Sequence, residues 1–448
     1  MTERSEPHTS SAGQPPLASG GWPLLGNALD LTSRPMPFFV AQYREHGPIF
    51  RVHAAHQRLL VLAGPEAAIR LRGSGYDEFA SGALWQPFLR QLGAESFLLS
   101  LNGPPHQARR HLLKPGFSRD YLMPRIPAAV RIVREHLGAV QGREIGVTAF
   151  FKRLLVDLLG RLHASHALGP VLDDLIVFHD ALIARTTGLR PQWLWRLPGY
   201  RARKRRVLQR MHTVIDRHRV APNEEPDMID ELVRAYDRGE TGMSEAELTL
   251  AAMGPFVAGK DTAAPTLSFL FNALLENPDV LERCRAEADA LFESGPPAPS
   301  SINDSAVLSG AVLETLRLYP TAPAFVRTTT RPIDFEGYRI QANQRVIVAA
   351  TVSHFLSRFY RDAERFDIDR FGPGRREHRQ RGAFAPYGLG PHICLGAALS
   401  EAVIKTILAT VLHDFDVQLA DPHYRMRADS IPNPAPNAAF KIRLRRRT

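Results

Sequence analysis

The run from Ser244 to Pro278, SEAELTLAAMGPFVAGKDTAAPTLSFLFNALLENP, is apolar on nearly every side at helical spacing. A helix of that kind cannot rest on a surface; it must run through a core. Ser244 and Glu247 have capping-box spacing, and Pro278 marks the stop. A buried helix this long needs a large protein around it, and 448 residues supply one.

The centre of the run is irregular. Ala258 to Ala263 reads AGKDTA. An Asp–Thr pair inside a core helix is expensive unless it has partners. The Thr hydroxyl can bond back to the i−4 carbonyl, which is the bland account. Pro265 has no N–H, so the carbonyl of Asp261 loses its helical donor, and Pro255 likewise frees the carbonyl of Ala251. The helix is therefore expected to be distorted around Asp261 and Thr262, and such irregularities often mark functional sites. A freed carbonyl, a hydroxyl and a carboxylate together can hold water and relay protons.

Two more helices are expected, one over 301–320 and one from near Cys394 through Phe415. Strand signals are short: IFRVHA, RLLVLAG, DFEGYRI and QRVIVAATV. The fold class is mainly α with small β-sheets. Residues 1–20, rich in Ser, Gly and Pro and without an apolar signal region, are expected to be a disordered tail, and 21–448 a single catalytic domain.

No segment is read as a membrane span of about 20 apolar residues. Net charge is +10, from 56 basic and 46 acidic residues, and part of it sits in RARKRR (201–206), GRREHRQRG (374–382) and RLRRRT at the C-terminus. No zinc-finger spacing, RNA-binding aromatic signature or heptad run accompanies these clusters, so nucleic acid is not an expected partner. The first and last are read as solvated loops. With only Cys284 and Cys394 there is no disulfide framework, which suits a reducing, cytoplasmic compartment.

Cys394 sits in YGLGPHICLG, just before a helical pattern. Free N–H groups at a helix start favour a thiolate, but by only about 0.3–1 kcal/mol. An unperturbed thiol titrates at about 8.5, so the helix alone leaves it protonated. A coordinating metal would deprotonate it outright. The glycines suit a loop whose N–H groups aim at sulfur. A buried structural Cys and a nucleophile activated by His392 both remain open at this point. Glu314 and Arg317 in ETLR pair at i, i+3, and His106 and Arg110 in HQARR at i, i+4 form a plausible carboxylate clamp; alone, each also suits a solvated face.

Together these pieces resemble the cytochrome P-450 superfamily of haem-thiolate monooxygenases, from about Trp22 to the C-terminus. Gly390, His392, Cys394 and Gly396 fit its cysteine loop, AGKDTA its oxygen-activating helix, and Glu314, Arg317 and Arg370 its structural triad. Tyr387 departs from the usual Phe, and Pro255 and Pro265 are unusual in the oxygen helix. The resemblance implies haem b, with Cys394 ligating iron and His106, Arg110, Arg327 and His392 on the propionates. It implies Thr262 and Asp261 as proton-delivery residues, and oxygen insertion from O2. The stretches that line family pockets offer Trp85, Phe88, Leu89, Phe256, Ala258, Phe325 and Val326, so an apolar substrate of terpenoid, steroid or fatty-acid class is expected. The chain lacks a flavin or iron–sulfur signature. Electrons are therefore expected from NAD(P)H through an external acidic ferredoxin or flavodoxin and its reductase, docking on Arg375, Arg376, Arg379 and Arg381. A monomer without membrane anchor is expected. A haem-thiolate peroxygenase or isomerase, or a non-catalytic haem ligand-binding protein, is the alternative.

Overall fold

The computed structural model describes residues 13–447 apart from 56, 187–189 and 432. They form two compact units. The first comprises the chain up to Ala83, Pro323–Ala363 and Arg379–Ile393; the second comprises Leu84–Ala322, Glu364–His378 and Cys394 onward.

The first unit is built on a sheet of five strands in the order Ile49–Ala54, Gln57–Ala63, Arg345–Ala349, Phe325–Thr329 and Phe79–Ala80. Gln57–Ala63 runs parallel to Arg345–Ala349, and the other pairs are antiparallel. Val52, Val61 and Val348 are buried from this pleated surface, the environment β-branched side chains fit best. The register sets Arg327 opposite Val346. The expected strand at 334–340 is a hairpin of Ile333–Phe335 and Tyr338–Ile340, turning at Glu336 and Gly337, both at positive φ. Residues 1–12 of the expected tail lie outside the described residues. Beyond them Leu17 bridges Arg51, and Ala18 is buried and donates its N–H to the Arg51 carbonyl at 2.8 Å.

The second unit is mostly helical. The Ser244 capping box forms in both directions, with Ser244 N–H donating to Glu247 at 3.0 Å and Glu247 N–H to Ser244 at 3.3 Å. The long run does not continue as one helix. It stops at Ala258 and resumes as Ala263–Glu276, with Thr262 at φ −128° and ψ −61° between them. Pro265 thereby falls in the first turn of the second helix, where a missing N–H costs nothing. Gly259 approaches its neighbours closely: a Cβ there would meet Leu159 at 3.0 Å.

Three expectations are corrected. The segment 301–320 is two helices, Pro299–Asp304 and Ala306–Leu318, parted at Ser305. RARKRR is not a loop but lies in the helix Pro198–Val220, and the C-terminal basic run lies largely on the strand Lys441–Arg446. Gly390–Asp414 is long and apolar enough to cross a membrane, though 67% of its most apolar window is buried in protein, as in a core helix. The helix Pro198–Val220 is tied at its end by His218, which meets Asp227 at 3.1 Å; Asp227 and Asp230 form the capping box of Met228–Asp237.

Candidate active site

Cys394 directly precedes a helix start: Gly396 is the N-cap of Ala397–Asp414. Burial pushes its thiol up, while the Gly396 N–H bonded to sulfur and the charge of Arg110 pull it down; the rise wins. The protein alone therefore keeps the thiol protonated, and only a bound metal would make the thiolate. Cys394 nonetheless presents accessible surface, whereas Cys284 is fully buried and its thiol is pushed up to about 12. The residues before the cysteine belong to the first unit. Gly390 sits at φ 69°, and a Cβ there would lie 2.5 Å from the Leu71 carbonyl oxygen, so glycine is required. His392 closes a short 3-10 turn with its ring edge-on to Tyr76 at 5.8 Å.

His106 and Arg110 lie one turn apart on Gly103–Leu113, as their spacing predicts. His106 is buried and its pKa falls to about 4 through burial and the Arg110 charge, so it is neutral at pH 7. Arg109, which sequence reasoning passed over, is buried and 4.0 Å from Glu247. In the first unit, Arg327 is driven down to about 10 by burial alone. Its Nη1 donates to the Val326 carbonyl at 2.9 Å, but its Nε has no partner among the described residues. An enclosed guanidinium without a carboxylate partner among the described residues calls for an anion. The donor set of the second unit thus fits a haem, with the Cys394 thiol for iron and His106 and Arg110 for acidic side groups, and Arg327 of the first unit has the same chemistry.

The helix break holds a charge cluster. Asp261 is buried and meets His179 Nδ1 at 3.0 Å, Lys260 Nζ at 2.5 Å and Lys152 Nζ at 3.6 Å. Asp180 shares both lysines. Burial raises the Asp261 pKa, but the His179 hydrogen bond and the lysine charges outweigh it and hold the carboxyl well below its usual range. Thr262 is exposed, its hydroxyl donating to the Ala258 carbonyl at 3.3 Å. The freed Asp261 carbonyl finds a donor from far along the chain, Asn433 Nδ2 at 3.0 Å. Lys152, Asp261 and Asn433 line a cleft of about 290 Å³ with Thr148 and Phe440. Lys260 was visible in AGKDTA as a cation in an apolar helix; Lys152, His179, Asp180 and Asn433 carried no such signal.

Phe88, Leu89 and Phe256, expected at a pocket wall, are at most 3% exposed and belong to the core. Trp85, Phe88 and Phe97 form an aromatic cluster with centroids 5.0–5.8 Å apart. Glu314, Arg317 and Arg370 are fully buried together. Glu314 accepts from Arg317 Nε at 2.7 Å, Arg370 Nε at 3.1 Å and Asp367 N–H at 2.9 Å, and Glu377 takes Arg370 Nη1 at 2.9 Å.

A family model described as Cytochrome P450 matches residues 15–441. The chain is 27% identical to the cyclooctat-9-en-7-ol 5-monooxygenase of Streptomyces melanosporofaciens, covering 92% of this chain and 93% of that protein. It is 24% identical to the pentalenene oxygenase of Streptomyces avermitilis, covering 98% and 99%. Among solved structures, the heme domain of cytochrome P450DA matches with a TM-score of 0.85 at 21% identity, covering 97% of this chain and 98% of that one; this likeness carries the fold.

Proposed function

The chain belongs to the cytochrome P450 family, and from that premise we propose that this haem monooxygenase oxygenates an apolar, terpenoid-class molecule with electrons from a separate ferredoxin or flavodoxin. Two relatives named for oxygenation of terpenoid compounds support the substrate class. The two free cysteines suit the cytoplasm. Bound haem supplies dioxygen activation and insertion of one oxygen atom into a substrate C–H bond.

The chain's own residues supply the rest. Cys394 Sγ would ligate the iron, and the Gly396 N–H steadies that sulfur. His106, Arg110, Arg327 and His392 would hold the propionates. Asp261, kept ionised by His179 and two lysines, would stay a carboxylate and order water by accepting its hydrogen bonds; the cleft beside it gives that water a route in. The Thr262 hydroxyl passes a proton on. The observation that carries this reading is the helix break, which sets an accessible hydroxyl next to a buried, ionised carboxylate.

Thr262→Ala tests it. Stability should stay within about 0.5 kcal/mol, because an exposed side chain with one long hydrogen bond is lost. Product formed per nicotinamide oxidised should fall several-fold as electrons drain to peroxide. A ratio equal to wild type would take the relay away from Thr262.

For the electron donor, the docking patch is smaller than the sequence suggests. Arg375 is held by Asp367 at 2.7 Å and Glu377 at 2.5 Å, so it serves the fold. Arg376, Arg379 and Arg381 are exposed and in no ion pair among the described residues. Reversing these three to Glu should slow reduction by an acidic ferredoxin about tenfold at low salt, each rim charge contributing roughly 0.2–1 kcal/mol. Substrate affinity should not change. Equal stopped-flow rates for both proteins would move the docking site elsewhere.

A further inference from the structure

Four described side chains at and between the ends of the helices Leu172–Thr186 and Pro198–Val220 bury donors that no group among the described residues accepts. Arg185, Thr186, Trp195 and Tyr200 are 6%, 5%, 9% and 7% exposed. Among the described residues, Arg185 Nε and Nη1, Thr186 Oγ1, Trp195 Nε1 and Tyr200 Oη have no hydrogen-bond partner. The Arg185 guanidinium lies 4.9 Å over the Tyr200 ring, so charge and phenol share one place. No carboxylate among the described residues offsets it, and the like-signed Arg190 adds repulsion.

A second observation points the same way. Trp195 and Tyr200 line a cleft of about 720 Å³. One helix face continues its wall, presenting Arg201, Lys204 and Arg205, and no Asp or Glu lines the cleft. The neighbouring cations Arg203 and Arg206 turn instead to Asp174, at 3.5 Å and 2.6 Å. The helix therefore sorts its basic residues: Arg203 and Arg206 are neutralised, whereas on the cleft side Lys204 donates to the Gln91 carbonyl and Arg201 and Arg205 are in no ion pair among the described residues.

Buried polar groups are almost always satisfied, and a buried charge without a partner is the costliest exception. A wholly apolar ligand would leave every one of these donors unpaired. A carboxylate beside Arg185 and Tyr200, which lie together, would take a charge-assisted bond from the guanidinium and a hydrogen bond from the phenol. Helix geometry also sets a spacing. His179, which holds Asp261, lies six residues before Arg185, roughly 9 Å along the same helix.

We propose that the Arg185–Trp195–Tyr200 junction is a subsite for an anionic group, a carboxylate above all, at one end of the substrate's apolar skeleton. This rests on the monooxygenase reading above and narrows its substrate to an amphipathic acid. The acid end is anchored away from the proton-delivery residues, so oxidation falls on a carbon remote from the carboxylate.

The test is a matched pair of probes, a diterpene resin acid and its methyl ester, titrated into the haem-loaded protein. Calorimetry and displacement of the Soret band are read together. The wild type should bind the acid roughly ten- to a hundredfold more tightly than the ester, the range expected of hydrogen bonds to a charged group. Arg185→Met should abolish that preference and leave ester affinity unchanged, while Arg185→Lys restores part of it. The melting temperature of Arg185→Met should equal or exceed that of the wild type, because an unpaired buried charge is removed. Equal affinities for acid and ester in the wild type would overturn the proposal. So would an Arg185→Met protein that melts lower yet keeps the preference, which would make Arg185 structural. Acid binding that depends on Arg185 but leaves the Soret band still would overturn assignment to the substrate pocket; the monooxygenase reading would then stand or fall on Thr262→Ala.

Discussion

Cys394→Ser is expected to abolish turnover and the red-shifted Soret band of the reduced carbon monoxide complex, while the chain stays folded. The reason is the division of labour at this residue. Burial raises the Cys394 thiol, and neither the Gly396 N–H nor Arg110 reverses that rise. Thiolate character must come from the iron, and a serine hydroxyl cannot supply it. Surrounding protein desolvates the sulfur, but Cys394 keeps accessible surface and serine conserves its size, so the fold has little at stake. Cys284→Ser should do the opposite. It leaves the spectrum intact and lowers stability modestly, because Cys284 is a fully buried member of the helix Pro278–Phe292. Absorption spectra of the two variants and a denaturation curve for each decide the matter. An unchanged band in Cys394→Ser would remove thiolate ligation from this residue.

Glu314→Ala is expected to destabilise the protein by about 3–5 kcal/mol, the usual cost of removing one partner from a buried ion pair. Arg317 and Arg370 are both 0% exposed, and Glu314 is the carboxylate they share. Without it Arg317 still donates to the neutral Arg365 carbonyl at 3.3 Å, whereas Arg370 retains the Glu377 carboxylate at 2.9 Å. The asymmetry yields a second expectation. Adding Arg317→Leu to Glu314→Ala should recover part of the loss, because the stranded charge goes with its partner. Urea denaturation of the single and double variants measures both effects. A single-variant loss below about 1 kcal/mol, the range of an exposed pair, would show that the network does not carry the fold.

The two largest effects thus fall on residues whose spacing was visible in the chain, but whose weight was not. ETLR at i, i+3 reads equally well as a solvated pair, and only zero exposure turns it into a buried network. Sequence reasoning expected the charged run RARKRR to be a loop, because local charge density reports solvation and not backbone geometry. In the structure the same residues are a helix with one side neutralised by Asp174 and the other facing a cleft without carboxylates. The pocket aromatics erred in the other direction. Phe88 and Phe256 were read as ligand-facing, yet an apolar side chain suits a core just as well, and here the core took them.

What the chain determined by itself is what a few covalently linked residues decide among themselves. Pro265 lacks an N–H wherever it is placed, so a break before it could be read directly, and the helix parts between Ala258 and Ala263. Gly390 could be read as a position needing backbone freedom, and its φ of 69° against the Leu71 carbonyl requires it. What only the tertiary structure decided is which charges meet. Asp261 is held by His179, 82 residues away, and its freed carbonyl by Asn433, 172 residues away. Arg185 looks like any other arginine in the sequence and Arg327 stood out only through the family resemblance; packing encloses both without bringing a carboxylate from among the described residues. Backbone preference acts over one turn, whereas desolvation and charge pairing depend on whatever the fold places across the gap, and no local pattern encodes that.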